Sequence, residues 1–183
     1  GKIKYFSKSS GTTNQRSKFI PISNEFLRKN LIRSSWDTTT FIFRNDPDAD
    51  LFYRKSLIMG GSLHPYDKNK DIVIGDVSAI MIKTIPFLGT HFYTPHYEIA
   101  LLDNWEQKIE KISSQCCFED ITMFGGVPTW NIVLFNKILE QTGKKNILEV
   151  WPNLKYYLHG GVNFEPYRLT FQKYLPNKDF KYI

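Results

Sequence analysis

Apolar residues along the chain switch repeatedly between the spacing of about 3.6 that marks a helix and the short continuous runs that mark a buried strand. Ser23 is suited to cap a helix N-terminus. After it Leu27, Leu31, Ile32, Trp36 and Phe43 recur near helical spacing up to Asn45, where NDPDAD ends the segment. SLIMGG reads as a buried strand, the residues from Lys68 to Asp71 as a polar loop, and GDVSAIMIKTIPF as a helix stopped near Pro86. Thr94 followed by Pro95 predicts a new helix with proline at its first position. Asp103 and Glu106 have the spacing of a capping box, ahead of an inward stripe of Trp105, Ile109, Ile112 and Cys116. ITMFGG predicts a strand leading into a helix opened by Pro128, striped by Trp130, Leu134 and Ile138, and ended by Gly143 beside Lys144 and Lys145. KYYLHGG is a further strand, FEPYRLTFQKYL the helix after it, and another strand starts as Ile183 is reached. The alternation predicts an α/β fold with layered helices packed on a largely parallel or mixed β-sheet.

Three Gly-Gly pairs, Gly60-Gly61, Gly125-Gly126 and Gly160-Gly161, use six of the 11 glycines, and each follows a short apolar strand. Glycine admits positive φ and lets a ligand approach the backbone, and in open α/β sheets the ligand crevice lies beyond the carboxyl ends of the strands. One pair alone reads equally as a strand-to-loop turn. The set of three predicts a crevice.

At 183 residues, 42% hydrophobic and 15% aromatic, the chain is long enough and apolar enough to bury the core of one domain, which excludes a disordered segment. No apolar run approaches the roughly 18 residues of a membrane helix, so no membrane is expected, and the absence of a disulfide pattern in the cysteines gives the expectation of a reducing, cytoplasmic location. The formal charge of +6 suits a polyanion but equally serves solubility. Basic residues are scattered and no aromatic recognition motif stands among the 10 tyrosines, so nucleic acid is not the expected partner. The only cysteines, Cys116 and Cys117, are adjacent, which gives neither a disulfide framework nor spaced zinc ligands and leaves them as packing residues. His64, His91 and His96 show no metal-ligand spacing.

One segment remains. KYFSKSSGTTNQRSKFIP places three Ser, two Thr and one Gly between Ser7 and Thr13, with Lys18 shortly after. Hydroxyls and tight-turn N–H groups are what phosphate oxygens require, although the same composition also makes a plain surface turn. It is not the G-x-x-x-x-G-K-[ST] loop, since it has one glycine and no Lys-Ser or Lys-Thr pair opening a helix.

SSGTTNQRSK (Ser9 to Lys18) resembles the ATP-phosphate loop of the adenylate-forming superfamily. Its Ser-Ser opening resembles one branch, the acyl-acid amido synthetases of the Gretchen-Hagen-three family and their bacterial relatives. GDVSAIMIKTIPFLGTHFYTPHYEIALLDNWEQKIEKI, FGGVPTW and WPNLKYYLHGGVNFEPYR are similar to that family's central blocks, and the likeness runs through nearly all of the chain.

The resemblance implies an ATP- and Mg²⁺-dependent ligase. Such an enzyme activates a carboxylic acid as its acyl-adenylate, expels pyrophosphate and passes the acyl group to an amino acid's amine. A thioester product is the alternative within the superfamily. AMP leaves a mixed anhydride readily where oxide would not leave a carboxylate, so positioning and charge stabilisation carry the catalysis. By the resemblance, Ser9, Ser10, Gly11, Thr12, Thr13 and Lys18 hold phosphates, with Thr12 or Thr13 near the Mg²⁺. His159, Gly160, Gly161, Val162, Asn163 and Phe164 lie along adenine and ribose, His159 being equally readable as a structural histidine. Val127, Pro128 and Trp130 border the acyl pocket, Trp130 being equally readable as helix packing. The loop departs from the superfamily pattern at Asn14 and Ser17. The family's next motif, with an adenine-stacking Tyr and a metal-binding Glu, would follow Ile183. The expectation is therefore the central part of the large nucleotide-binding domain, unable to complete catalysis alone.

Overall fold

A computed structural model describes residues 2–9 and 17–183. In chain order the elements begin with β1 (Tyr5–Lys8), β2 (Phe19–Ile22), α1 (Asn24–Phe26), a π-helical stretch Leu27–Ile32, α2 (Arg33–Asn45), β3 (Lys55–Ile58), β4 (Leu63–Tyr66), β5 (Asn69–Gly75) and α3 (Val77–Lys83). A 3₁₀ segment Phe87–Phe92 then leads to β6 (Tyr93–Thr94), α4 (Tyr97–Ala100), α5 (Trp105–Cys116), β7 (Ile121–Gly126), α6 (Pro128–Thr142), β8 (Tyr156–His159), α7 (Arg168–Tyr174) and β9 (Lys181–Tyr182). They group into two compact units, residues 1–49 with 61–85, and residues 50–60 with 86–183.

The first unit holds a four-stranded mixed sheet in the order β2-β1-β5-β4. β1 pairs antiparallel with β2 and parallel with β5, and β5 forms a hairpin with β4. Residues 69–71, which read as loop, are strand: Asn69 pairs with Tyr66 across the hairpin and β5 runs between β4 and β1. The hairpin with β4 overrides a polar local sequence here, and the pairing with β1 begins only at Val73. The helix over residues 24–45 opens as expected, the Ser23 hydroxyl accepting from the Phe26 N–H at 3.0 Å. The stripe expected along it is broken at Trp36, which is 59% exposed, while Ile42 is buried. The π-helical stretch widens the turn to i→i+5, so positions beyond it fall out of phase with a 3.6-residue count.

The second unit is built on a wholly parallel sheet in the order β6-β3-β7-β8-β9. Burial of consecutive residues on β7, Ile121 with Thr122 and Phe124 with Gly125, shows both faces covered, as parallel sheets require. The stripe Ile109, Ile112 and Cys116 of α5 and the stripe Leu134, Phe135 and Ile138 of α6 supply cover. An aromatic stack runs through the core, with Tyr157 parallel to Phe124 at 4.2 Å and to Phe171 at 4.9 Å. α6 begins with Pro128 in its first turn and ends at Gly143, whose φ of +67° is the left-handed conformation that glycine adopts without strain.

Two helix starts differ from expectation. Thr94 is a strand residue paired with Leu57, and α4 begins two residues after Pro95 with His96 as its cap, because the chain is still held in the sheet at 94. The cap of α5 is Asn104 rather than Asp103, its side chain accepting from the Gln107 N–H at 2.8 Å. Either side chain can bond an N–H three residues on, so sequence alone does not separate adjacent caps.

Near the amino ends of β3 and β7, Asp50 accepts hydrogen bonds from Arg54 and, at 2.8 Å, from the Thr122 hydroxyl, while Arg54 also bridges to Asp120. Burial alone would raise the Asp50 pKa. The bonds from Arg54 and Thr122, with the charges of Lys155 and Arg54, outweigh it and hold the carboxyl below its ordinary range.

Candidate functional site

The glycine tips fall into place through the sheet order. β3, β7 and β8 are neighbours and all parallel, so Gly60, Gly125-Gly126 and Gly160-Gly161 gather at the carboxyl ends of three adjacent strands. Gly61 is the first residue of the next segment of the other unit. The ladder extends past β3, with the Met59 N–H donating to the Gly125 carbonyl at 3.1 Å. Gly126 has φ +141°, and a Cβ there would lie 3.2 Å from the Met59 Cβ and 3.3 Å from its carbonyl oxygen. Gly161 has φ +83°, and a Cβ there would meet the Val127 Cγ2 at 3.4 Å. A Cβ on Gly160 would meet nothing within 4 Å, so the backbone at this tip is open to an incoming group. This is the geometry by which a sheet admits a ligand against its main chain.

Val127 thus lies near two of the expected groups, since it caps α6 and its side chain faces the Cβ position that Gly161 leaves empty. Pro128 is buried at the first turn of α6. Trp130 is half-buried, its ring 5.1 Å from that of Trp105 on α5. Trp130 thus packs between α5 and α6 against the core. Among the adenine-ribose candidates, Val162 and Asn163 are exposed, the Asn163 side chain accepting from the Glu165 N–H. Phe164 is in the core, packed edge-on to Tyr157 and Phe171.

His159 is paired with Gly126 across the ladder and its ring stacks on Phe164 at 4.6 Å. Burial and then the nearby Arg168 charge push its pKa down, and Glu165 opposes them weakly, which leaves a neutral imidazole near pH 7. The Arg168 guanidinium lies over Phe164 at 5.4 Å and Tyr182 at 5.6 Å, and pairs with Glu165. His159 is therefore a packed residue with one edge at the strand tip.

The first unit holds the neck of the Ser/Thr-rich segment. β1 and β2 run antiparallel up to Lys8 and Phe19, and beyond them Ser9 and Lys18 close a ring. The Ser9 N–H donates to the Lys18 carbonyl at 2.9 Å, and the Lys18 N–H donates to the Ser9 hydroxyl at 3.0 Å. The Ser10, Gly11, Thr12 and Thr13 assignments lie outside the described residues. Among the described residues no group of three or more His, Cys, Asp or Glu side chains could hold a metal ion, so none is assigned to Mg²⁺. No helix among them is long and apolar enough to cross a membrane.

Sequence reasoning missed two residues beneath the glycine tips. The Tyr157 hydroxyl donates to the Gly126 carbonyl at 2.9 Å, and Asn131, fully buried on α6, donates through Nδ2 to the Tyr157 hydroxyl and the Val127 carbonyl at 3.3 Å each. Burial pushes the Tyr157 pKa up, so the phenol stays protonated and donates. A signal was present, since Asn131 is a polar residue three and seven positions ahead of the core residues Leu134 and Ile138.

No curated protein matches the chain in sequence. Among solved structures, it is similar to "AtGH3.15 acyl acid amido synthetase in complex with 2,4-DB", with a TM-score of 0.73 at 14% identity over 98% of this chain and 40% of that one. It is similar also to "GH3.15 acyl acid amido synthetase", with a TM-score of 0.67 at 14% identity over 98% of this chain and 39% of that one. At such identity the likeness establishes the α/β fold, and the chain spans well under half the length of either relative. The family model described as "GH3 family N-terminal domain" matches residues 1–94 and 39–180, which together take in nearly every residue. The chain belongs to the GH3 family, and its match is to that family's N-terminal domain.

Proposed function

We propose that this chain is the central part of the large nucleotide-binding domain of an ATP-dependent acyl-acid amido synthetase. In the second unit Gly160 to Asn163 take adenine and ribose, and in the first unit the Ser9–Lys18 loop takes phosphate. The acyl acid enters beside Val127 and Trp130. The observation that carries the reading is the alignment of Gly60, Gly125-Gly126 and Gly160-Gly161 on adjacent parallel strands in a chain of this family. The carboxylate attacks the α-phosphorus, pyrophosphate leaves, and an amino acid's amine then displaces AMP from the acyl carbon. The residues here position and polarise; they form no covalent bond.

The test is carboxylic-acid-dependent exchange of labelled pyrophosphate into ATP by the complete enzyme, with Ser10→Ala and Gly161→Leu as controls. Exchange that both substitutions abolish supports the reading, and exchange indifferent to both overturns the site. Offering amino acids and coenzyme A in turn distinguishes an amide from a thioester product. The chain alone gains thermal stability with ATP, about 2.7 kcal/mol at a hundredfold excess over Kd, yet makes no amide.

A further inference from the structure

The turn from β7 into α6 lacks the usual local supports. Val127 at the helix cap has no side-chain oxygen to accept from the first-turn N–H groups, and Gly126 at φ +141° is free, as glycine, to take many other conformations. Two buried side chains instead hold its carbonyls, that of Val127 in addition to the Trp130 and Asn131 N–H groups that already donate to it. Tyr157 donates to the carbonyl of Gly126 and Asn131 to the carbonyl of Val127, and the two are joined by the Asn131 Nδ2 to Tyr157 hydroxyl bond. Successive carbonyls of the turn are thereby held from below, from a strand and from a helix.

The orientation of the Asn131 amide follows from its neighbours. The Tyr157 hydrogen is committed to Gly126, so both groups facing Nδ2 are acceptors, and a flipped amide would set oxygen against oxygen. Oδ1 therefore points away, buried and without a hydrogen-bond partner among the described residues. A buried carbonyl left so is costly, and an apolar residue would complete the stripe of α6 without that cost. Packing does not explain the asparagine; the fixed turn does.

We propose that Asn131 and Tyr157 are positioning residues for the crevice, setting the Gly126-Val127 turn and, because the Val127 side chain faces the Cβ position of Gly161, the spacing between the acyl and nucleotide walls. The inference rests on the proposed function for the ligands' identity, but the fixed turn does not. Neither side chain touches substrate. Both act through backbone carbonyls.

The test compares Tyr157→Phe, Asn131→Leu and the double variant in the complete enzyme. Expected are KM values for ATP and the acyl acid raised roughly three- to tenfold by either single change, the worth of one hydrogen bond, with kcat within about twofold. The double variant does no worse than the poorer single one, because the bonds form one network. Lowered Tm with unchanged KM values overturns the proposal, since it marks a purely structural pair. If Asn131→Leu does not fold, Tyr157→Phe, which removes one hydroxyl, decides alone. Amide hydrogen exchange of residues 126–131 reads the turn independently of activity. Faster exchange there in Tyr157→Phe supports the proposal even in an enzyme without pyrophosphate exchange, where only the ligand reading fails. Unchanged protection overturns it in either case.

Discussion

Replacing Gly126 with alanine tests how tightly the strand tips are built. The added methyl meets two obstacles. A φ of +141° lies in a region that side-chain-bearing residues avoid, which costs about 1–3 kcal/mol. The methyl also approaches the Met59 Cβ at 3.2 Å and the Met59 carbonyl at 3.3 Å, and Met59 cannot retreat freely because its N–H is bonded to Gly125. At about 2–4 °C per kcal/mol for a chain of this size, Gly126→Ala lowers Tm by about 4–8 °C in the middle of the range. Gly160→Ala is the control, since neither a positive φ nor a neighbour within 4 Å opposes it, and it stays within about 0.5 kcal/mol of wild type. The assay is denaturant unfolding followed by tryptophan fluorescence, which Trp105, Trp130 and Trp151 report from the unit that holds both glycines. Equal stability of the two variants would refute the reasoning, because the two sites differ in the features invoked and share the same sheet edge.

Acid should reveal Asp50. Its folded pKa is depressed, so its contribution is complete above the unfolded value of about 3.9 and is lost as pH falls through the lower folded value. Asp50→Asn is thus less stable than wild type by about 1–3 kcal/mol at pH 7, a gap that closes below about pH 4; a gap that persists or widens in acid contradicts the assignment. The two cysteines should differ toward a thiol reagent. Burial pushes the Cys116 pKa up to about 12, whereas Cys117 is only half-buried. A disulfide reagent at pH 8 titrates Cys117 in the native protein and Cys116 only after denaturant, and equal rates would exclude a closed core around α5.

Where a local group decides the structure, the sequence was readable. Ser23, Pro128 and Gly143 mark their helix ends because capping is settled within four residues, and ITMFGG is a strand because its apolar run matches a sheet buried on both faces. The β4-β5 hairpin was not readable, because polar Asn69–Asp71 are strand only as the start of a hairpin arm that pairs with β4. Trp36 was misplaced by a π-helical turn that no residue announces. For the site, each Gly-Gly pair was visible, but their gathering at one edge depends on strand order, with β3 lying between β6 and β7. Nothing in KYYLHGG distinguishes Tyr157 from its neighbours, and only the folded chain shows its hydroxyl beneath Gly126.

That strand order bears on how the protein is made and cut. β3 comes from an eleven-residue excursion, residues 50–60, yet it lies between two strands supplied later, and its pairing with β7 spans Lys55 to Ile121. During synthesis this apolar strand emerges well before either neighbour exists, so it waits unpaired and needs shielding from other chains. A truncation beginning at residue 86 keeps four of the five strands but leaves a gap between β6 and β7. Such a piece should aggregate, and a synthetic peptide of residues 50–60 added during refolding should rescue it.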